Sequence, residues 1–103
     1  MDFALDATTE DYRERLMAFM DAHVYPQERA YFAQVDELED RWAWNRVPLL
    51  RDLQAKAREA GLWNLFLPGD RGAGLTNLQY APLAEIMGRS PALAPPTFNC
   101  AAP

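Results

Sequence analysis

The chain has 103 residues, half of them apolar, which is the size of one small domain with enough apolar material for a core. Its net charge of −5, with Lys56 as the sole lysine and nine scattered arginines, argues against nucleic acid and anionic membranes, which need clustered positive charge. One cysteine, Cys100, excludes an internal disulfide and fits a reducing compartment, while one histidine, His23, removes most metal and nucleophile–base sets.

The opening MDFALDATTEDYRER is acidic and lacks the apolar centre of a signal peptide, so a cytoplasmic location is expected. No apolar run approaches the length of a membrane span. Thr8 or Thr9 is expected to open the first helix, with Glu10 and Asp11 favourable in its first turn. Tyr12, Leu16, Phe19, Met20 and Val24 recur at helical spacing and form one apolar face. Asp11 and Arg15 stand one turn apart and can pair. His23 falls near the end of this helix, where a dipole-compatible residue is more economical than a catalytic one. Residue 20 is methionine, so no Glu-x-x-His pair exists for a carboxylate-bridged metal site.

Pro26 breaks the pattern, and QERAYFAQV continues as a second short helix beginning there. Asp36, Glu37, Glu39 and Asp40 then form an acidic run without the glycine or ligand spacing of an EF-hand, which reads as a solvated connection. Trp42 and Trp44 read as packing anchors. The clearest helix runs from about Pro48 to Ala60, with Leu49, Leu50, Leu53, Ala57 and Ala60 as its buried stripe and Gly61 to end it. LWNLFLP follows as a short apolar turn or extended connection closed by Pro68.

Three glycines, Gly69, Gly72 and Gly74, precede the next helix. Their G-x-x-G-x-G order reverses the dinucleotide fingerprint, and no Gly-Lys-Ser/Thr follows them. A tight loop between helices explains them better than a phosphate cradle, although any helix N-terminus can attract an anion. Thr76 and Gln79 make the capping box of that helix. Pro82 lies beyond its first turn, so the helix is expected to kink or to begin in earnest near Tyr80, with Leu83, Ile86 and Met87 facing the core and Gly88 at its end.

The final SPALAPPTFNCAAP places Pro95 and Pro96 in the first turn of a further helix, for which no C-cap is visible. The end therefore reads as cut. Cys100-Ala101-Ala102-Pro103 mimics a prenylation box, but proline is not a usual last residue and no polybasic run precedes it. From residues alone, this is an acidic, all-α domain of about four to five helices, incomplete at its C-terminal end. No carboxylate in it can be singled out as an acid or base.

The block AKAREAGLWNLFLPGDRGAGLTNLQYAPLAEIMGRS resembles the N-terminal helical domain of acyl-CoA dehydrogenases. There a helix ending in A-G-L-W leads to a proline and a glycine-rich bend, then to a helix with an E-x-M-G-R-like sequence, matched by Glu85 to Arg89. RERLMAFMDAHVYPQE is similar to the family's first helix and its V-x-P turn, matched by Val24 and Pro26. The tail PPTFNCAAP resembles the branch whose members act on unusual acyl chains.

The resemblance covers nearly all of residues 1–103 and implies the first quarter of a longer, homo-oligomeric enzyme of fatty acid metabolism. That enzyme would carry a middle β-domain and a C-terminal helical bundle, with FAD mainly between them. It would oxidise acyl-CoA to 2-enoyl-CoA and pass electrons to an electron-transfer flavoprotein, the hard chemistry being the cofactor's. The resemblance places no catalytic, flavin-binding or metal residue in this segment. It implies that the last helix lines the acyl pocket, with Ala94, Phe98 and Asn99 on the wall, while Phe98 reads equally well as a packing residue between helices. As an enzyme piece, the segment should be inactive alone and leave apolar faces uncovered. Two other readings stay open: an acyl-CoA oxidase or flavin monooxygenase on the same scaffold, and a stand-alone helical module that docks a partner helix.

Overall fold

The computed structural model describes residues 6–40, 43, 47–65 and 74–100, and these carry helices and turns with no β-strand. Helix α1 spans Ala7–Phe19, and one wide π turn (Met20–Val24) and a 3₁₀ turn (Tyr25–Gln27) carry the chain into α2 (Glu28–Asp36). Three further helices follow: α3 (Pro48–Glu59), α4 (Asn77–Met87) and the single turn α5 (Ala94–Thr97). The all-α reading holds, and α1 packs on α4 while α3 packs on both α2 and α5.

The apolar face expected for the first helix is the one the fold buries: Leu16, Phe19, Met20 and Val24 join the core, with Tyr12 packed against its edge. Leu50, Leu53 and Ala57 enter it from α3, Leu83, Ile86 and Met87 from α4, and Leu93, Ala94 and Phe98 from around α5. Uncovered apolar faces were expected of a piece of a larger protein. Among the described residues, the large apolar side chains left exposed are Phe32 and Leu78, on different helices. Among the described residues the stripes are largely covered, because all five described helices contribute to one core.

The first helix is capped two or three residues earlier than the threonines suggest. Asp6 is its N-cap and accepts the Thr9 N–H at 2.8 Å, because a carboxylate serves the exposed amides of a first turn as well as a hydroxyl does. The other Asp6 oxygen accepts from Gln79 Nε2 at 2.9 Å. Gln79 in turn completes the predicted box: its Oε1 accepts the Thr76 N–H at 2.9 Å and its own N–H donates to Thr76 Oγ1 at 3.1 Å. One clasp thus joins the N-termini of α1 and α4.

These bonds, above all the one from the Thr9 N–H and then the one from Gln79, hold the Asp6 carboxyl below its ordinary 3.8. A lowered folded-state value stabilises the fold above the unfolded value and loses that contribution as pH falls through the folded one. Urea midpoints are therefore expected to fall from about pH 4 downward, and less steeply in Asp6→Asn, which keeps a capping oxygen without the charge. Equal slopes for the two proteins would remove Asp6 from the account.

The π turn was not foreseen as such. Pro26 cannot continue a regular helix, because its ring crowds the carbonyl four residues back. One wide turn, in which the Tyr25 N–H reaches Met20 O, shifts the register before it. Helix α3 ends as expected at Gly61, whose φ is 72°. The Gly61 N–H donates to Arg58 O at 3.1 Å and the Leu62 N–H to Ala57 O at 2.9 Å, a Schellman pair. Pro82 lies inside α4, which begins at Asn77 and not near Tyr80. The carbonyl that Pro82 leaves without an amide partner is that of Leu78, a residue 85% exposed, so water can serve it. Trp42, Trp44, Pro68, Gly69 and Gly72 lie outside the described residues, whereas Gly74 has φ 68°, suiting a loop glycine.

Candidate functional site

Helix α5 is short because proline builds its start and asparagine ends it. Pro95 and Pro96 occupy first-turn positions, where a missing N–H costs nothing. The Ser90 carbonyl accepts the Ala94 N–H at 2.9 Å, and Thr97 Oγ1 donates back to Leu93 O at 2.8 Å. Asn99 then takes a left-handed φ of 53°. Its N–H donates to Pro96 O at 3.2 Å and the Cys100 N–H to Pro95 O at 2.8 Å. This second Schellman pair supplies the C-cap that was not visible in the sequence, so α5 is a complete turn.

The three residues expected on the acyl wall therefore sit together on this turn but differ in exposure. Ala94 and Phe98 are fully buried within the chain, whereas Asn99 is exposed. The Phe98 ring meets Phe19 edge to face with centroids 5.2 Å apart, and Phe19 in turn stands 4.8 Å from the His23 ring. His23 thus packs against an aromatic side chain in the π turn that follows α1.

Two tethers from earlier elements fix the turn in place. Gln54 Nε2 of α3 donates to Pro96 O at 3.1 Å. From the turn after α3, the Asn64 N–H donates to Phe98 O at 3.0 Å, and Asn64 Oδ1 accepts from Asn99 Nδ2 at 2.6 Å. Asn64 is itself left-handed, with φ 60°. Neither asparagine of this pair would be linked to the other by sequence, as they stand 35 residues apart. The one local signal is an asparagine three residues past the helix-ending Gly61.

Behind the turn, burial first and then a hydrogen bond with Cys100 push the Tyr80 hydroxyl far above its usual range, so it stays protonated. Cys100 is buried and its thiol lies 3.6 Å from Phe98 O. A pocket of about 110 Å³ is lined by His23, Gln27, Asp52 and Lys56, among others. Lys56 and Asp52 in it are already an ion pair at 3.1 Å, both largely solvated. No group of three or more histidine, cysteine or acidic side chains that could hold a metal occurs among the described residues. At the start of the helix that follows the glycines, the Gln79 N–H is committed to Thr76 Oγ1.

Comparison with known proteins places the chain. It is 47% identical over its whole length to the probable acyl-CoA dehydrogenase FadE2 of Mycobacterium tuberculosis, of which it covers 25%. It is 43% identical to acyl-CoA dehydrogenase family member 10 of Mus musculus, over 87% of this chain and 9% of that protein. The probable acyl-CoA dehydrogenase IBR3 of Arabidopsis thaliana is 36% identical over 90% of the chain, which spans 14% of it. The chain thus spans a quarter or less of the length of these relatives. No family model matches it, and no solved structure matches significantly.

Proposed function

Because this chain belongs to the acyl-CoA dehydrogenase family across its length, we propose that it is the N-terminal helical domain of a flavin-dependent enzyme that oxidises acyl-CoA to 2-enoyl-CoA. The observation that carries this reading is end-to-end identity of 47% to a protein four times as long and so named. In this reading the domain spans residues 1–103, and the middle β-domain and C-terminal bundle are supplied by further chain. Acyl-CoA is the substrate, an electron-transfer flavoprotein takes the electrons, and the full-length enzyme is a cytoplasmic homo-oligomer.

The flavin would supply the hydride acceptor for the β-hydrogen. At the start of α4 the Thr76 and Gln79 N–H groups are bonded within the capping box, and this reading places the flavin mainly outside the segment. No catalytic step is assigned to this segment. Its contribution is positional. The α5 turn would form part of the acyl-pocket wall, with Asn99 as its exposed member and Ala94 and Phe98 holding it from behind. Two amide tethers and a buried aromatic pair give that turn the rigidity a pocket wall needs.

The test is to express the full-length polypeptide carrying this segment and to follow acyl-CoA-dependent reduction of an electron-transfer flavoprotein alongside direct oxygen consumption. Electron transfer without oxygen uptake is expected, and residues 1–103 alone should show no turnover. Oxygen uptake in place of electron transfer would make the enzyme an oxidase or monooxygenase on the same scaffold. No acyl-CoA-dependent reaction at all would remove the enzymatic reading.

A further inference from the structure

We propose that Asn64 is a positioning residue for the acyl-pocket wall: by holding Asn99, it sets the depth of the α5 turn and hence the acyl-chain length that the enzyme accepts. This rests on the reading above that α5 faces the acyl chain.

The geometry is uncommon. Asn64 and Asn99 are the two described non-glycine residues with positive φ, 60° and 53°, and each follows the end of a helix. Their amides meet at 2.6 Å on the protein surface. Left-handed backbone costs an ordinary residue about 1–2 kcal/mol, and asparagine tolerates it best after glycine. Glycine would make either turn more cheaply, as it does at Gly61 and Gly74. Glycine has no side-chain amide, however, so it cannot make the link between the two turns.

The link has a direction. The Asn64 backbone already binds Phe98 O at 3.0 Å, which seats the turn without any side chain. The side-chain bond therefore adds little to whether the turn forms and more to where its exposed corner rests. That corner is Asn99, the one wall residue with exposed surface. A displacement there changes the space open to an apolar chain. Removing or adding one methylene in a fitted pocket changes discrimination by about 10- to 200-fold.

Three variants of the full-length enzyme separate the possibilities, each assayed with short-, medium- and long-chain acyl-CoA thioesters and by thermal melting. Asn64→Gly keeps the left-handed backbone and the bond to Phe98 but removes the acceptor. Asn64→Asp keeps an acceptor for Asn99. Asn99→Asp puts a charge at the wall while a reoriented Asn64 amide can still donate to it.

Asn64→Gly is expected to shift KM for the chain length at the edge of the accepted range by about tenfold, with kcat within about twofold and melting nearly unchanged. Asn64→Asp should retain the parent profile. An unchanged profile in Asn64→Gly, or equal shifts in Asn64→Gly and Asn64→Asp, overturns the positioning role. Asn99→Asp is expected to raise KM for long chains. If it does so while Asn64→Gly has no effect, only the positioning role falls. If Asn99→Asp leaves every KM unchanged, α5 does not face the chain, and the wall reading falls with it.

Discussion

Replacing Phe98 by alanine is expected to cost about 3–5 kcal/mol of unfolding free energy, the range for deleting a buried aromatic ring. The ring has no exposed surface and makes an edge-to-face contact with Phe19 at 5.2 Å, so truncation opens a cavity and loses a specific pair. The site also has little freedom to collapse. The Phe98 carbonyl is held by the Asn64 N–H, and its own N–H donates to Ala94 O at 3.2 Å. A chain of 103 residues has a total stability of about 5–15 kcal/mol, so this one change takes about a fifth of it or more. Urea unfolding followed by circular dichroism measures the loss. A cost under about 1 kcal/mol would mean that the ring is not in the core.

Phe98 also shows how much of this molecule a reader of the sequence can see. Periodicity finds what repeats along one helix: the face of Leu16, Phe19, Met20 and Val24, the stripe of Leu50, Leu53 and Ala57 with Leu49 and Ala60 only half-buried beside it, and the triple Leu83, Ile86 and Met87. Local chemistry finds the capping box of Thr76 and Gln79 and the glycine stop at Gly61. What escapes is whatever depends on a partner far along the chain. Asp6 caps α1 while also holding Gln79, 73 residues away, which makes it a better cap in place than in isolation. The end of α5 is set by Asn99 in a left-handed conformation, which the composition PPTFNC does not announce. Pro82 is tolerated because of where Leu78 lies, and the sequence does not state exposure.

The candidate site divides along the same line. Ala94, Phe98 and Asn99 were brought together by a resemblance, and the fold does place them on one turn. Which of them turns inward depends on the core. Phe19 from α1 covers Phe98, and Asn64 from the turn after α3 engages Asn99.

Gly61→Ala is the second large effect expected, at about 1–3 kcal/mol. Gly61 is the left-handed residue of the Schellman pair that ends α3, with φ 72°. An alanine there pays the left-handed backbone cost, about 1–2 kcal/mol. Its Cβ would also stand 2.9 Å from Arg15 Nη2. That nitrogen donates to the Ala60 carbonyl, so the arginine must swing away and release the end of α3. A guanidinium tip moves easily, and the loss from this source is the hydrogen bond itself, about 1 kcal/mol. Gly88→Ala is the internal control. Gly88 ends α4 with an ordinary helical φ of −64°, and an added Cβ would meet only the Ala84 and Glu85 carbonyls at 3.4 Å. It should be neutral or stabilise by up to about 1 kcal/mol, because alanine narrows the unfolded ensemble. If the two glycines respond alike, backbone handedness is not what selects glycine after α3. If they respond with opposite signs, the turn that leads to Asn64 is held by a residue with no side chain at all.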